Sequence, residues 1–498
     1  MIDINAIINT LNSRGRYDFT IYLERKNKRT DTKNIQLFRL LAEGETNSNI
    51  ICKKLYNSDN KNAYHALRKR LFDSLIDFTA NKSLEDENSI DIQIIKHILA
   101  SRTFLLQKNF STAYKLLDKA EQLADQNSLF PILNEIYHTK IQYAPDYPKV
   151  NLEDLIRQQN ENRKKHHLED QLNTVYSKLK SVLNLISYER KIVDFETILE
   201  QTLKESDIKL NESLSFKSLY QILAIANISA FITTRYFEIE DFVLKSYAIL
   251  KKKKDTNKQL YYQIQIVYII ANTLFRNKKF EESLKYIHEM HQLMMLKKNT
   301  YYKTFILKLT LVKALNLNYN NASKDAINIT LNIITKKHND IEASLDLQLS
   351  LLMFYFQQNE LNNAKSILSK FYHTDNWYIE KAGIDWVIKK NLSELLLYIE
   401  LGDEDLFYSR LKSFRRLYTK HLKDTNQTRI LAFINFAEVY YKNPQIAATK
   451  SFKSKVEETL IWKQAYEEDI FVISFYAWLK SKLENKPLYK TTLKLVKK

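Results

Sequence analysis

Glycine and proline are what this sequence most conspicuously lacks: 498 residues contain 4 Gly and 5 Pro, where average usage of about 7% and 5% would supply about 35 and 25. Tight hairpins, Greek keys, phosphate-cradling loops and sandwich turns draw on one or the other, so an all-β chain and a doubly wound α/β chain are excluded. An all-α fold remains. Cysteine occurs once, at Cys52; this rules out an intramolecular disulfide and a multi-cysteine zinc site and fits a reducing compartment. Met1 to Phe19 has acidic Asp3 and no basic stretch leading into an apolar run, so no secretory signal is read there. The best membrane candidate, Leu219 to Ile232, is short and carries Gln221, Asn227 and Ser229, which is too polar to span. A cytoplasmic protein without membrane insertion is expected.

Catalytic patterns are equally scarce. No glycine-rich phosphate loop, Gly-x-Ser-x-Gly or His-Glu-x-x-His occurs, and the four glycines, Gly15, Gly44, Gly383 and Gly402, leave no room for one. His288 and His291 stand one helical turn apart without a third ligand and read as structural. His166 and His167 are neighbours, hence on different faces. Cys52, between Ile51 and Lys53 in a short amphipathic segment, reads as packing, and Glu457-Glu458 and Glu467-Glu468 as solvated helix positions. The expectation is a non-enzyme that takes no cofactor and no metal.

The chain is 45% hydrophobic with 31 Tyr and 25 Phe, which excludes disorder, and it exceeds the size at which one core stops growing. Several domains or a stack of repeats must follow. A spacing recurs that supports the second. Phe104, Ala113 and Ala120 are nine and seven residues apart around a polar turn, as are Leu274, Ser283 and Met290; Leu317, Ala326 and Ile333; Tyr355, Ala364 and Phe371; and Tyr398, Phe407 and Phe414. Three residues before each bulky anchor stand Ser101, Ala271, Ala314, Leu352 and Leu395. This resembles the tetratricopeptide repeat, in which a bulky residue and two later small ones mark paired helices. The central anchors lie 43, 38 and 43 residues apart, longer than the 34 of that repeat, and the interval from Ala113 to Ser283 equals about four such units. The fold class read from the resemblance is an all-α, right-handed superhelical solenoid of antiparallel hairpins over 90–440, leaving a concave groove.

Residues 1–80 read as a separate unit of three short helices, Ile35 to Ala42, Asn49 to Tyr56 and Ala63 to Phe78, with Ser48 and Asn62 as caps. The third helix carries Arg68-Lys69-Arg70 above Leu67, Leu71, Leu75 and Phe78; the unit is similar to a helix-turn-helix or winged-helix domain, and equally to a cap on the first repeat. Asn81 to Ile90, with Glu85-Asp-Glu87, is the joint. Pro145, Pro148 and the run from Asn151 to Asp170, with Arg163-Lys-Lys-His-His167, read as a loop leading into a polar helix. Lys251 to Lys254 read as cations at a helix C-terminus. Residues 441–498 read as a buried capping helix over Leu460 to Leu483, containing Trp462, Phe471, Phe475, Tyr476 and Trp478, and then a basic tail.

Net charge is +18, and 59 of the 76 cations are Lys, the usage an AT-rich genome writes. Residues 409–498 hold 19 Lys and Arg against 8 Asp and Glu. Arg410, Arg415, Arg416 and Arg429 concentrate there, suited to forked contact with phosphate or carboxylate. Two functions follow. The resemblance implies a scaffold or adaptor whose groove takes a protein or peptide partner, an acidic one included, since Lys and Asn clamp carboxylates and peptide backbone in that family's grooves, with Asn272, Arg276, Lys313 and Asn316 on the inward helices as its clamps. The alternative is a nucleic-acid- or ribonucleoprotein-binding regulator that uses the basic ends, with aromatics such as Tyr408, Tyr440 and Tyr441 interleaved.

Overall fold

The computed structural model describes residues 4–11, 13–26, 33–84, 90–189, 197–198, 201–202, 204, 215–233, 235–251, 259–336, 338, 340–460 and 468–497, and no strand occurs among them. Glu85-Asp-Glu87, Lys252 to Lys254, Trp462 and Glu467 lie outside these residues. The chain divides into two compact units, Met1–Asn162 and Arg163–Lys498.

In the first unit the expected three helices are present as α3 (Lys33–Ala42), α4 (Ser48–Tyr56) and α5 (Lys61–Leu84). Two more precede them, α1 (Ile4–Thr10) and α2 (Ser13–Lys26). Their apolar residues come in one-turn pairs, Ile4 with Ile8 and Phe19 with Leu23, and all four enter the core with Phe38, Ile51, Leu71 and Leu75. The caps sit one and two residues upstream of the expected ones. Asn47 accepts from the Asn49 N–H and Asn60 Oδ1 from the Ala63 N–H at 3.0 Å, because Ser48 and Asn62 already lie inside their helices. Three further helices, α6 (Ile90–Leu106), α7 (Phe110–Gln126) and α8 (Phe130–Tyr143), close a second core in this unit around Leu117, Ala120, Leu133 and Ile136. The unit boundary falls within α9 (Leu152–Ser187), a 36-residue helix that begins within the stretch read as a loop.

The second unit continues with α10 (Phe216–Thr233), α11 (Tyr236–Lys251), α12 (Leu260–Arg276), α13 (Phe280–Met294), α14 (Tyr302–Tyr319), α15 (Ser323–Ile334), α16 (Ile341–Gln357), α17 (Leu361–Leu368), α18 (Asp375–Ala382), α19 (Ile384–Leu401), α20 (Glu404–Asp424) and α21 (Thr428–Lys442). Neighbours pack as pairs, α12 on α13, α14 on α15, α16 on α17 and α19 on α20, while α10, α12, α14, α16 and α19 also touch one another in a row. A row that buries both sides must be apolar nearly all round; α16 accordingly buries every residue from Leu349 to Gln357. Among the described residues, the interval between Ala113 and Ser283 holds α8, the long α9, the pair α10 and α11, and α12. Helix α10 is long and apolar enough to cross a membrane by length and composition, with a mean hydropathy of 1.2; its Leu219, Leu223 and Ala224 are buried in the core of the unit.

One backbone turn recurs at all five anchors. Phe104, Leu274, Leu317, Tyr355 and Tyr398 each accept, at 2.8 to 3.1 Å, the N–H of the residue five later: Asn109, Lys279, Ala322, Glu360 and Asp403. The intervening residue is left-handed each time, at Lys108, Lys278, Asn321, Asn359 and Gly402. This is the six-to-one bond that ends a helix and reverses the chain. Asn tolerates positive φ better than other side chains, which explains how a glycine-poor chain builds these reversals. The residue nine after each anchor, Ala113, Ser283, Ala326, Ala364 or Phe407, is fully buried at the crossing.

After Pro444 come α22 (Lys450–Thr459), α23 (Ile470–Glu484) and α24 (Leu488–Val496). The expected basic tail is thus a packed helix, with Thr491, Thr492, Leu495 and Val496 buried. Helix α23 does more than cover one end. Tyr319 and Gln357 both hydrogen-bond Ser474 Oγ, at 2.9 and 3.2 Å, and Trp478 Nε1 donates to Glu400 at 2.6 Å. It therefore lies across the C-terminal ends of α14, α16 and α19. Tyr489 of α24 donates to the Asn318 carbonyl at 2.6 Å.

Candidate functional site

Two of the four expected groove residues are spent on the fold. Arg276 ends α12, where its guanidinium pairs with Asp469 at the start of α23 and lies over the Tyr236 ring. Burial pushes the Asp469 carboxyl up, but Lys389, Arg276 and the N–H groups of Phe471 and Val472 outweigh it and hold it below the usual range. Asn316 is fully buried and donates to Ser283 Oγ at 3.0 Å and to the Val312 carbonyl at 2.7 Å. Asn272 hydrogen-bonds Tyr236. Lys313 is exposed.

The cationic set is also divided. Arg410 pairs with Glu394 at 2.8 Å, Arg415 with Glu438 at 2.7 Å and Arg429 with Glu468 at 2.6 Å. Arg416 is exposed beside Arg410 on the wall of a cleft between α17 and α20. On α5, Lys69 and Arg70 are exposed and Arg68 is half-buried. His288 and His291 are exposed, His288 bonding Gln292 at 2.9 Å. Cys52 is buried, its thiol pushed up by burial, and no cluster of three or more metal-ligating side chains occurs among the described residues.

The strongest concentration of functional groups lies elsewhere, in a cavity of about 440 Å³ within the second unit. Its walls come from α9, α10, α12, α14 and α16 and from the corner between α18 and α19. Residues three or four apart on one helix face present the wall: Tyr220, Ala224, Asn227 and Phe231 on α10, and Glu342 and Asp346 on α16. The corner is closed by Gly383, at φ 86° and ψ 166°, where a Cβ would stand 3.2 Å from the Ser187 carbonyl oxygen. Only glycine combines that conformation with that approach.

From Tyr176 and Tyr220 on this wall a chain of ring contacts leads away through tyrosines outside the cavity. Tyr176 meets Tyr220 at 6.3 Å between centroids, Tyr220 meets Tyr262 at 5.6 Å, Tyr262 meets Tyr261, and Tyr261 meets Tyr301. Burial raises the Tyr220 and Tyr268 hydroxyls well above their ordinary value, so both are neutral donors. Four carboxylates line the space, Asp340, Glu342, Asp346 and Asp385, against the ammonium groups of Lys180 and Lys308. This is an acid excess in a protein of net charge +18. Glu342 hydrogen-bonds Tyr188 and faces both lysines. Asp346 makes no hydrogen bond or ion pair among the described residues, and burial, reinforced by Glu342, pushes its carboxyl up to about 7. Gln265 is 9% exposed and bonded only through Nε2, to Tyr261 at 3.2 Å. Asn227 Oδ1 is buried without a partner. The arrangement offers acceptors among aromatic rings, the composition of a binding pocket.

No protein-family model matches the chain, and neither the curated proteins nor the solved structures give a significant match. The sequence signal for this site was Asp346 itself, an acid set between Leu345 and Leu347 one turn after Glu342.

Proposed function

We propose that this chain is a non-catalytic scaffold or adaptor, a tetratricopeptide-like superhelical solenoid of antiparallel hairpins that holds a protein or peptide partner on the inner side of its helix row. The observation that carries the reading is the cavity at that row, with Phe231, 44% exposed, at its wall. An exposed aromatic beside convergent polar groups is the composition of a recognition site. Clamping moves from Arg276 and Asn316, which hold the chain's own helices, to Tyr268, Lys308, Glu342 and Asp346. Displacing α23 to free Arg276 would expose Phe475 and Trp478, each worth about 3–5 kcal/mol of core packing. A partner therefore has to use the space that α23 leaves open. Cytoplasmic residence fits the lone buried thiol.

The nucleic-acid alternative loses three of its six arginines, Arg410, Arg415 and Arg429, to carboxylates and would rest on the exposed Lys69, Arg70 and Arg416. The deciding experiment places a photo-crosslinking amino acid at Phe231 and, as a control, at Leu106, which is 81% exposed. A nuclease-resistant protein adduct at position 231 and none at 106 is expected. Adducts at both positions alike, or adducts that nuclease removes, would overturn the adaptor reading.

A further inference from the structure

The cavity has more acceptors than its own chain can satisfy. Asp346 is faced on its own helix by Glu342, with Asp340 just before it, and from its neighbours by Tyr188, Tyr268 of α12, Arg276 of α12 and Lys389 of α19. Two of the nearby cations are engaged elsewhere, and Lys308 Nζ lies over the Tyr268 ring, 5.8 Å from its centroid. Arg276 pairs with Asp469, and Lys389 stands 3.9 Å from the same carboxylate. Lys180 and Lys308 face Glu342. Asp346 is left as a half-buried acid without an ion pair, Asn227 Oδ1 is buried without a donor in the same lining, and Gln265, also in the lining, is hydrogen-bonded through Nε2. Buried acceptors without donors are rare and costly in folded proteins, and an uncompensated carboxylate more so. Rings of Tyr176, Tyr188, Tyr220 and Tyr268 complete the lining, and aromatic faces attract cations.

We infer that the cavity binds an organic cation, an ammonium or guanidinium group on an alkyl stem, with Asp346 as its counter-ion and the Gln265 and Asn227 carbonyls as further acceptors. The inference rests on the proposed binding role of the row and names the chemistry recognised there. Such a group supplies several N–H donors at once, which a single acceptor site would not need, and its stem suits the apolar parts of Leu183, Ile228 and Leu311 on the walls. Two sources carry this chemistry, a lysine or arginine side chain of a partner and a free polyamine. Binding ionises Asp346, so below neutral pH each cation bound releases a proton to solvent.

The test is calorimetric titration of the full-length protein with spermidine, with a blocked peptide containing one arginine, and with the same peptide carrying citrulline. Titrations at pH 6 in two buffers of different ionisation enthalpy count the released protons. The expected result is binding of at least one cationic probe, no binding of the citrulline peptide, release of about one proton, and affinity about thirtyfold weaker or worse in Asp346→Asn. Spermidine alone would identify a small-molecule site and the arginine peptide a partner's side chain. Equal affinity for citrulline and arginine, no proton release, or unchanged binding in Asp346→Asn would overturn the inference. Gln265→Leu, which keeps the carboxylate, should weaken the cation about tenfold without changing the proton count. If every cationic probe fails while the adduct at Phe231 persists, the cation assignment falls and the adaptor reading stands.

Discussion

Replacing Asp346 by Asn should make the free protein more stable, and only above acidic pH. The carboxyl is moved from 3.8 to about 7 by burial. Between those values the folded chain holds a proton that the unfolded chain has released, so stability is fullest below pH 4 and is lost as pH rises to 7. Three pKa units correspond to about 4 kcal/mol at most, and access of water to the half-buried side chain reduces this to about 2 kcal/mol. Asn is neutral throughout and escapes the loss. For a unit running from Arg163 to Lys498, about 2 kcal/mol corresponds to a rise in Tm of about 3 °C. Thermal unfolding followed by circular dichroism at pH 4, 6 and 8 should show coincident curves at pH 4 and a widening gap above it. A variant less stable than the parent at pH 8, or one offset equally at every pH, would refute the electrostatic reading of the cavity. A residue that stabilises when neutralised yet is needed for binding has the signature of a functional site.

Breaking the ion pair that holds α23 should act oppositely. Arg276→Met leaves a largely buried Asp469 with Lys389 alone and should cost about 3 kcal/mol; Asp469→Asn in the same background should cost little more, whereas additive losses in a double-mutant cycle would show that the pair is not coupled. Because Asp469 is held low, its contribution disappears as pH falls through its folded value, so the parent should lose its advantage over Arg276→Met in acid. Gly383→Ala should destabilise by about 2–3 kcal/mol in chemical denaturation and perturb the end of α9, because both the backbone conformation and the Ser187 carbonyl oppose a side chain; Gly402→Ala, which meets nothing within 4 Å, should cost about 1 kcal/mol from φ alone. Lys108→Gly and Lys278→Gly should raise stability by about 0.5–1 kcal/mol, unless the Lys278 contact with the Glu468 carbonyl at 3.2 Å offsets the second.

The repeating spacing was legible because a helical hairpin imposes it: an anchor, a left-handed residue four later and a buried residue nine later are consequences of one backbone reversal. The identity of that left-handed residue varied among Lys, Asn and Gly, so the turn was visible in the apolar positions around it and not in its own chemistry. Helices α1 and α2 were missed because their buried faces are pairs of residues, too short to register as a period. The cavity was illegible for a different reason. Its walls are contributed by segments spread between Tyr176 and Asp385, and no single window of sequence holds more than a fraction of its polar residues. The same locality misled the reading of the arginines, which were counted as a patch, while Glu394, Glu438 and Glu468 that neutralise three of them lie between 16 and 39 positions away.

The central claim is that the inner row of the second unit is where a partner is held. Hydrogen–deuterium exchange of the full-length protein, alone and with its photo-crosslinked partner, tests it most directly. Slowed exchange confined to the α10, α12, α14 and α16 segments that line the cavity is the predicted result. Protection on α5 around Lys69 and Arg70 or on α20 around Arg416, with the cavity segments unchanged, would contradict it.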